Sequence, residues 1–144
     1  MKIFKKLFQY IFKVSPMILG AGLVLGGMGE AFGQNPRIFT TPGDGTFIVP
    51  AGVTSITVEV WGAGGRGGSR TSNGEGGGGG GGAYSRSVIA VTPGQVFNYY
   101  VGFGSLTNQA GEDSWFSTNT ILMAKGGNSV DENITAGATG GSAA

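Results

Sequence analysis

Along residues 54–61 the apolar side chains fall on every second position. Ile56, Val58 and Val60 alternate with Thr57 and Glu59 before the segment ends at Trp61. A period of two sends neighbouring side chains to opposite faces of an extended chain, so the segment predicts a strand with one buried face. Residues 46–50, with Phe47, Ile48 and Val49, predict a second strand, stopped by Pro50-Ala51-Gly52. A third covers 83–91 and closes on the apolar run Val88, Ile89, Ala90 and Val91. Thr92-Pro93-Gly94-Gln95 then reads as a β-turn, Pro presetting φ and Gly supplying a positive φ. In 96–103 Phe97, Tyr99, Val101 and Phe103 share a face, and Ile121, Leu122 and Met123 mark a weaker strand within 120–125. No window past the N-terminal segment shows a helical period. The pattern predicts an all-β chain, an antiparallel, jelly-roll-like sandwich of short hairpins.

Between the strands lies glycine. Positions 62–82 hold 13 glycines, seven of them consecutive at 76–82. Gly62-x-Gly64-x-x-Gly67 after a strand has the spacing of a dinucleotide fingerprint, but that chemistry needs a helix N-terminus aimed at the pyrophosphate. Seven glycines cannot open a helix at nearly 1 kcal/mol each relative to Ala. No acidic residue lies near position 82 to meet a ribose, and no GK[ST] follows for a phosphate loop. Two readings of the glycine remain. It forms a floppy connection, which is the reading favoured by residue chemistry alone, or extended three-residue-per-turn tracts that pack side by side.

Composition changes the picture mainly at the N-terminus. Lys2, Lys5, Lys6 and Lys13 precede the apolar run MILGAGLVLGGMG at 17–29, and small residues stand before a cut after Gly33. That order predicts a signal peptide over 1–33 and a domain over 34–144, exported and free of the membrane once cleaved. The apolar run is shorter than the roughly 20 residues of a permanent span, although Lys13 and Pro16 do not bar the alternative of an uncleaved anchor. Removing four lysines and Glu30 from nine basic and eight acidic residues leaves five and seven, a net charge of −2. Arg66, Arg70 and Arg86 are scattered among small residues, so no basic patch remains for nucleic acid. The chain has no Cys and no His, which removes a disulfide framework, the commonest metal ligands and the usual general base. The pattern specifies no enzyme, cofactor or metal site.

The ordered string TFIVPAGVTSITVEVWGAGG, then GGGGGGGAYS, VTPGQVFNYYVGFGS, GEDSWFS and AKGG, resembles a glycine-rich domain of secreted bacterial surface proteins. It is similar to glycine-rich segments of phage tail-fibre adhesins and, more loosely, to the glycine-rich extracellular domain of the anaplastic lymphoma kinase receptor. The resemblance covers roughly residues 38–128. It implies a β-sandwich whose glycine tracts pack as polyglycine II helices, which reverses the preference for a floppy loop. It also implies a binding role at projecting loops. Such domains usually continue with further tracts after AKGG; here Gly137, Gly140 and Gly141 look like the opening of another. The domain is therefore expected to be incomplete at its C-terminus, or to take partner tracts from a second copy in a homo-oligomer.

The candidate ligand contacts are Trp61, Arg66, Arg70, Tyr84 and Trp115. Aromatic rings beside carboxylates stack on sugars, and arginines in loops meet polar partners, so a surface glycan or a protein receptor is the expected ligand. The competing role for the tryptophans is packing at strand ends, and for Tyr84 covering the glycine run. Glu112-Asp113 and Asp131-Glu132 lack the spaced acidic ladder of a calcium loop. Two readings of function follow: an adhesion module binding through loops at 66–75 or 106–114, and a purely structural spacer within a larger surface assembly.

Overall fold

The computed structural model describes residues 12–16, 36–71 and 73–142. Among these the chain forms eight strands and no helix: β1 (Phe12–Pro16), β2 (Arg37–Phe39), β3 (Gly43–Ile48), β4 (Ser55–Trp61), β5 (Tyr84–Ala90), β6 (Val96–Val101), β7 (Ser114–Phe116) and β8 (Leu122–Ala124). Two four-stranded antiparallel sheets result, ordered β2-β1-β4-β5 and β3-β6-β7-β8. β1 belongs to the stretch read as an export leader; the other residues of that stretch lie outside the described ones.

The alternation in β4 does what its period requires. Ile56, Val58 and Val60 are fully buried while Thr57, Glu59 and Trp61 are half-exposed. They meet Phe47, Phe97, Phe116, Leu122 and Ala124 from the other sheet in one core. Phe116 stands at its centre, its ring centroid 4.9 Å from Phe97 and 6.4 Å from Phe47. Ser85 bridges the layers, its hydroxyl donating to the Met123 carbonyl at 2.6 Å. Opposite Tyr99 in the register stands Gly45, where a Cβ would sit 2.2 Å from the tyrosine ring, so the ring lies directly over the glycine backbone. Cross-strand aromatic cover of this kind compensates for a glycine's lack of side-chain packing. The expected strands within 46–50, 54–61, 83–91, 96–103 and 120–125 are all present. β2 and β7, three residues each, are too short to show a period. Phe103 leaves the expected shared face and is exposed, because β6 ends at Val101.

Beyond β4 and before β5 the glycine tracts are ordered. Gly62, Gly65 and Gly68 donate backbone N–H bonds to the carbonyls of Ala83, Gly80 and Gly77, each at 2.9 Å. A third tract lies alongside: Gly127, Val130 and Asn133 donate to Ala63, Arg66 and Ser69 at 2.8, 2.9 and 2.8 Å. Ala138 and Gly141 add a fourth by donating to Gly78 and Gly81, both at 2.9 Å. Bonds recurring every third residue between chains that make none internally are the arrangement expected of three-residue-per-turn helices packed laterally. None of the tract glycines has a positive φ, which among the described glycines occurs at Gly43, Gly52, Gly74 and Gly94.

The same period governs space. Residues 77, 80 and 83 are buried, as are 124, 127 and 130. A Cβ on Gly80 would fall 2.0 Å from the Thr139 carbonyl oxygen, whereas at Gly78 and Gly81 nothing lies within 4 Å. Two further tracts, 125–134 and 136–142, lie alongside 62–82 within the chain itself. The first of these was not legible as a tract because Lys125, Asn128 and Asp131 take exposed positions and need not be glycine; the second was foreshadowed by Gly137, Gly140 and Gly141.

Candidate functional site

The tracts hold a loop cluster at their far end. Arg66 Nη1 donates to Asn108 Oδ1 at 3.2 Å and its Nη2 to Ser69 Oγ at 3.4 Å. Its backbone N–H donates to Ser129 Oγ at 2.8 Å, and that hydroxyl donates to the Gln109 carbonyl. Three separate segments therefore converge on one residue. Arg70 Nε closes its own loop on the Glu75 carbonyl at 2.8 Å, beside Gly74 with its φ of 148°. The backbone N–H and the hydroxyl of Thr71 both donate to Asn133 Oδ1 at 3.2 Å. Leu106, at the tip of the neighbouring loop, is 90% exposed.

Trp61 and Tyr84 face each other across the β4–β5 register, with ring centroids 4.9 Å apart. The Tyr84 hydroxyl donates to Glu59 Oε1 at 2.7 Å, and that oxygen also lies 3.8 Å from Arg86 Nε. The hydrogen bond to Glu59 holds the phenol's pKa above its usual value of 10, because ionisation would place two anions together. This is a closed cross-strand cluster on the outer face of its sheet.

The opposite sheet carries a different outer face. Asp44, Tyr100, Trp115 and Met123 are register partners in turn, a single row across β3, β6, β7 and β8. The rings of Tyr100 and Trp115 are stacked, with centroids 6.1 Å apart and planes inclined by 16°. Glu112 Oε2 accepts from the Tyr100 hydroxyl at 2.5 Å and from the Phe103 N–H at 3.2 Å. Asp113 Oδ1 accepts from the Gly126 N–H at 2.9 Å. The bond to Glu112 pushes the Tyr100 pKa up to about 12. Trp115 stands between two shallow depressions. One of about 250 Å³ lies over Tyr100, Glu112, Asp113, Asn119 and Met123; the other, about 440 Å³, lies over Asp44, Gly45, Thr46 and Asn98.

A family model described as a glycine-rich domain matches residues 40–144, from β3 through the last tract. The chain belongs to that glycine-rich domain family. It matches no curated protein and no solved structure.

Within this glycine-rich domain the five sequence candidates separate into three places. Trp61 and Tyr84 come together, Arg66 and Arg70 sit in the loop cluster engaged in internal bonds, and Trp115 lies on the other sheet. Sequence reasoning missed Asp44, Asn98 and Tyr100 as companions of Trp115. Only strand register brings positions so far apart in sequence into adjacent rows. The available signal was the outward alternation of Asn98 and Tyr100 in the Phe97–Val101 pattern.

Proposed function

We propose that the chain is a secreted or cell-surface structural and adhesion module without catalytic activity, its glycine tracts serving as a stiff mount for loops at 66–75 and 106–114. The observation that carries this reading is the convergence of three segments on Arg66 at the end of a laterally bonded lattice. A floppy glycine connection would bring a large ordering entropy to any binding event; loops already tied down do not. Their partner is a glycan or a protein on another surface, and among the described residues Leu106 is the most exposed large apolar side chain offered to it. The test is attachment of the purified chain to cells and glycan-coated surfaces, comparing the parent with Leu106→Asp and Arg66→Ala. Loss of attachment with an unchanged thermal midpoint supports adhesion through the loops.

A second reading, a purely structural spacer or self-assembling subunit, is favoured by one observation. Arg66 and Arg70 already bond within the chain and present few free donors. Unchanged attachment by both variants selects it.

A further inference from the structure

We propose that the outer face of the β3-β6-β7-β8 sheet is a binding site for an uncharged saccharide chain, with the Trp115 ring as its platform; this deepens the binding half of the reading above. A half-exposed indole stacked on Tyr100 presents an apolar plane, and the C–H face of a sugar ring is an apolar plane of matching shape. The polar groups around it suit hydroxyls. Among the described residues, the side chains of Thr46, Asn98 and Asn119, the two asparagines supplying both donors and acceptors, bond to no protein group. Glu112 and Asp113 are held in place by backbone N–H groups and offer remaining lone pairs as positioned acceptors.

Charge narrows the ligand. Asp44, Glu112 and Asp113 line the two depressions and, among the described residues, no basic side chain does, so an anionic polymer is repelled. A cationic peptide would meet the three carboxylates but leave the indole plane and the amides of Asn98 and Asn119 without the C–H face and hydroxyls that a sugar supplies. Shape narrows it further. The depressions are open and lie on either side of one ring, which fits a chain laid across the sheet with one residue stacked on Trp115. A compact small molecule would need an enclosing pocket.

The experiment is native electrophoresis of the whole chain through gels containing laminarin, galactomannan, arabinoxylan or yeast mannan, with alginate and polylysine gels beside them. At least one neutral polymer is expected to retard the protein with little dependence on salt. Trp115→Ala should weaken that retardation at least ten-fold, and Trp61→Ala on the other sheet should leave it unchanged. Should Trp115→Ala fail to fold, Asn98→Arg fills the second depression from an exposed position and should give the same loss. Retardation by none of the neutral polymers overturns the proposal, as does binding to polylysine alone that fades with salt. Neutral-polymer binding lost with Leu106→Asp but kept with Trp115→Ala also overturns it, while leaving loop adhesion standing. Attachment to cells without any polysaccharide binding separates the two claims in the same way.

Discussion

The lattice makes a prediction in which two neighbouring glycines respond with opposite sign. A methyl group added at Gly80 would stand 2.0 Å from the Thr139 carbonyl oxygen and 3.1 Å from the Asn128 nitrogen. Carbon makes favourable contacts at about 3.5–4.0 Å, so one tract must move by more than an ångström. Three lateral bonds meet at this point. Gly80 N–H donates to Asn128 at 2.8 Å, Gly65 N–H donates to Gly80 at 2.9 Å, and Asn128 N–H donates to Thr139 at 3.0 Å. Each such bond contributes about 1 kcal/mol net, and forced overpacking costs about 1–3 kcal/mol. The smaller freedom of Ala in the unfolded chain returns about 0.4–1 kcal/mol. The sum is a destabilisation of about 3–6 kcal/mol for Gly80→Ala. At Gly81 nothing lies within 4 Å and φ is not positive, so only the unfolded-state contribution remains. Gly81→Ala should therefore stabilise by about 0.4–1 kcal/mol. Equilibrium urea unfolding, followed by tryptophan fluorescence, reads both. With m of about 1–3 kcal/mol/M, the Gly80→Ala midpoint should drop by roughly 1 M or more while that of Gly81→Ala rises slightly. Equal midpoints for the two variants would refute a close-packed lattice and restore the floppy loop.

Three further outcomes follow from the same geometry, and a fourth from the residue order of 1–33. Phe116→Ala empties the centre of the core between Phe47 and Phe97 and should cost about 3–5 kcal/mol in the same assay. Ser85→Ala removes the bond to the Met123 carbonyl that ties the sheets and should cost about 1–3 kcal/mol, with strand structure retained by circular dichroism. In a phenolate-absorbance titration one tyrosine should ionise near 12, and Glu112→Gln should bring it down towards 10. Because the folded pKa lies above the unfolded value near 10, the stability from this pair is fully present below pH 10 and is lost as pH rises through about 12. Finally, intact mass of product recovered outside the native cells should match a chain beginning at Gln34. Such a product lacks β1, and β4 would then be unpaired along the edge where Val14 meets Val58.

Local chemistry alone determined a good deal of this protein. The two-residue period at Ile56, Val58 and Val60, and the turn at Pro93-Gly94, were enough to place the main strands and to make the chain all-β. Strand alternation is imposed by the backbone, so it is written residue by residue. The run at 76–82 likewise excluded a helix and with it the nucleotide reading. What the glycines do was not so written. An isolated polyglycine segment has no internal bonds and prefers no single conformation, so its order depends on neighbours that arrive from 125–134 and 136–142. The tertiary structure decided which glycines are indispensable, as the contrast between Gly80 and Gly81 shows. It also decided which aromatics meet. Trp61 finds Tyr84 and Trp115 finds Tyr100 because strand register, a long-range property set by the shared core, lays those positions side by side.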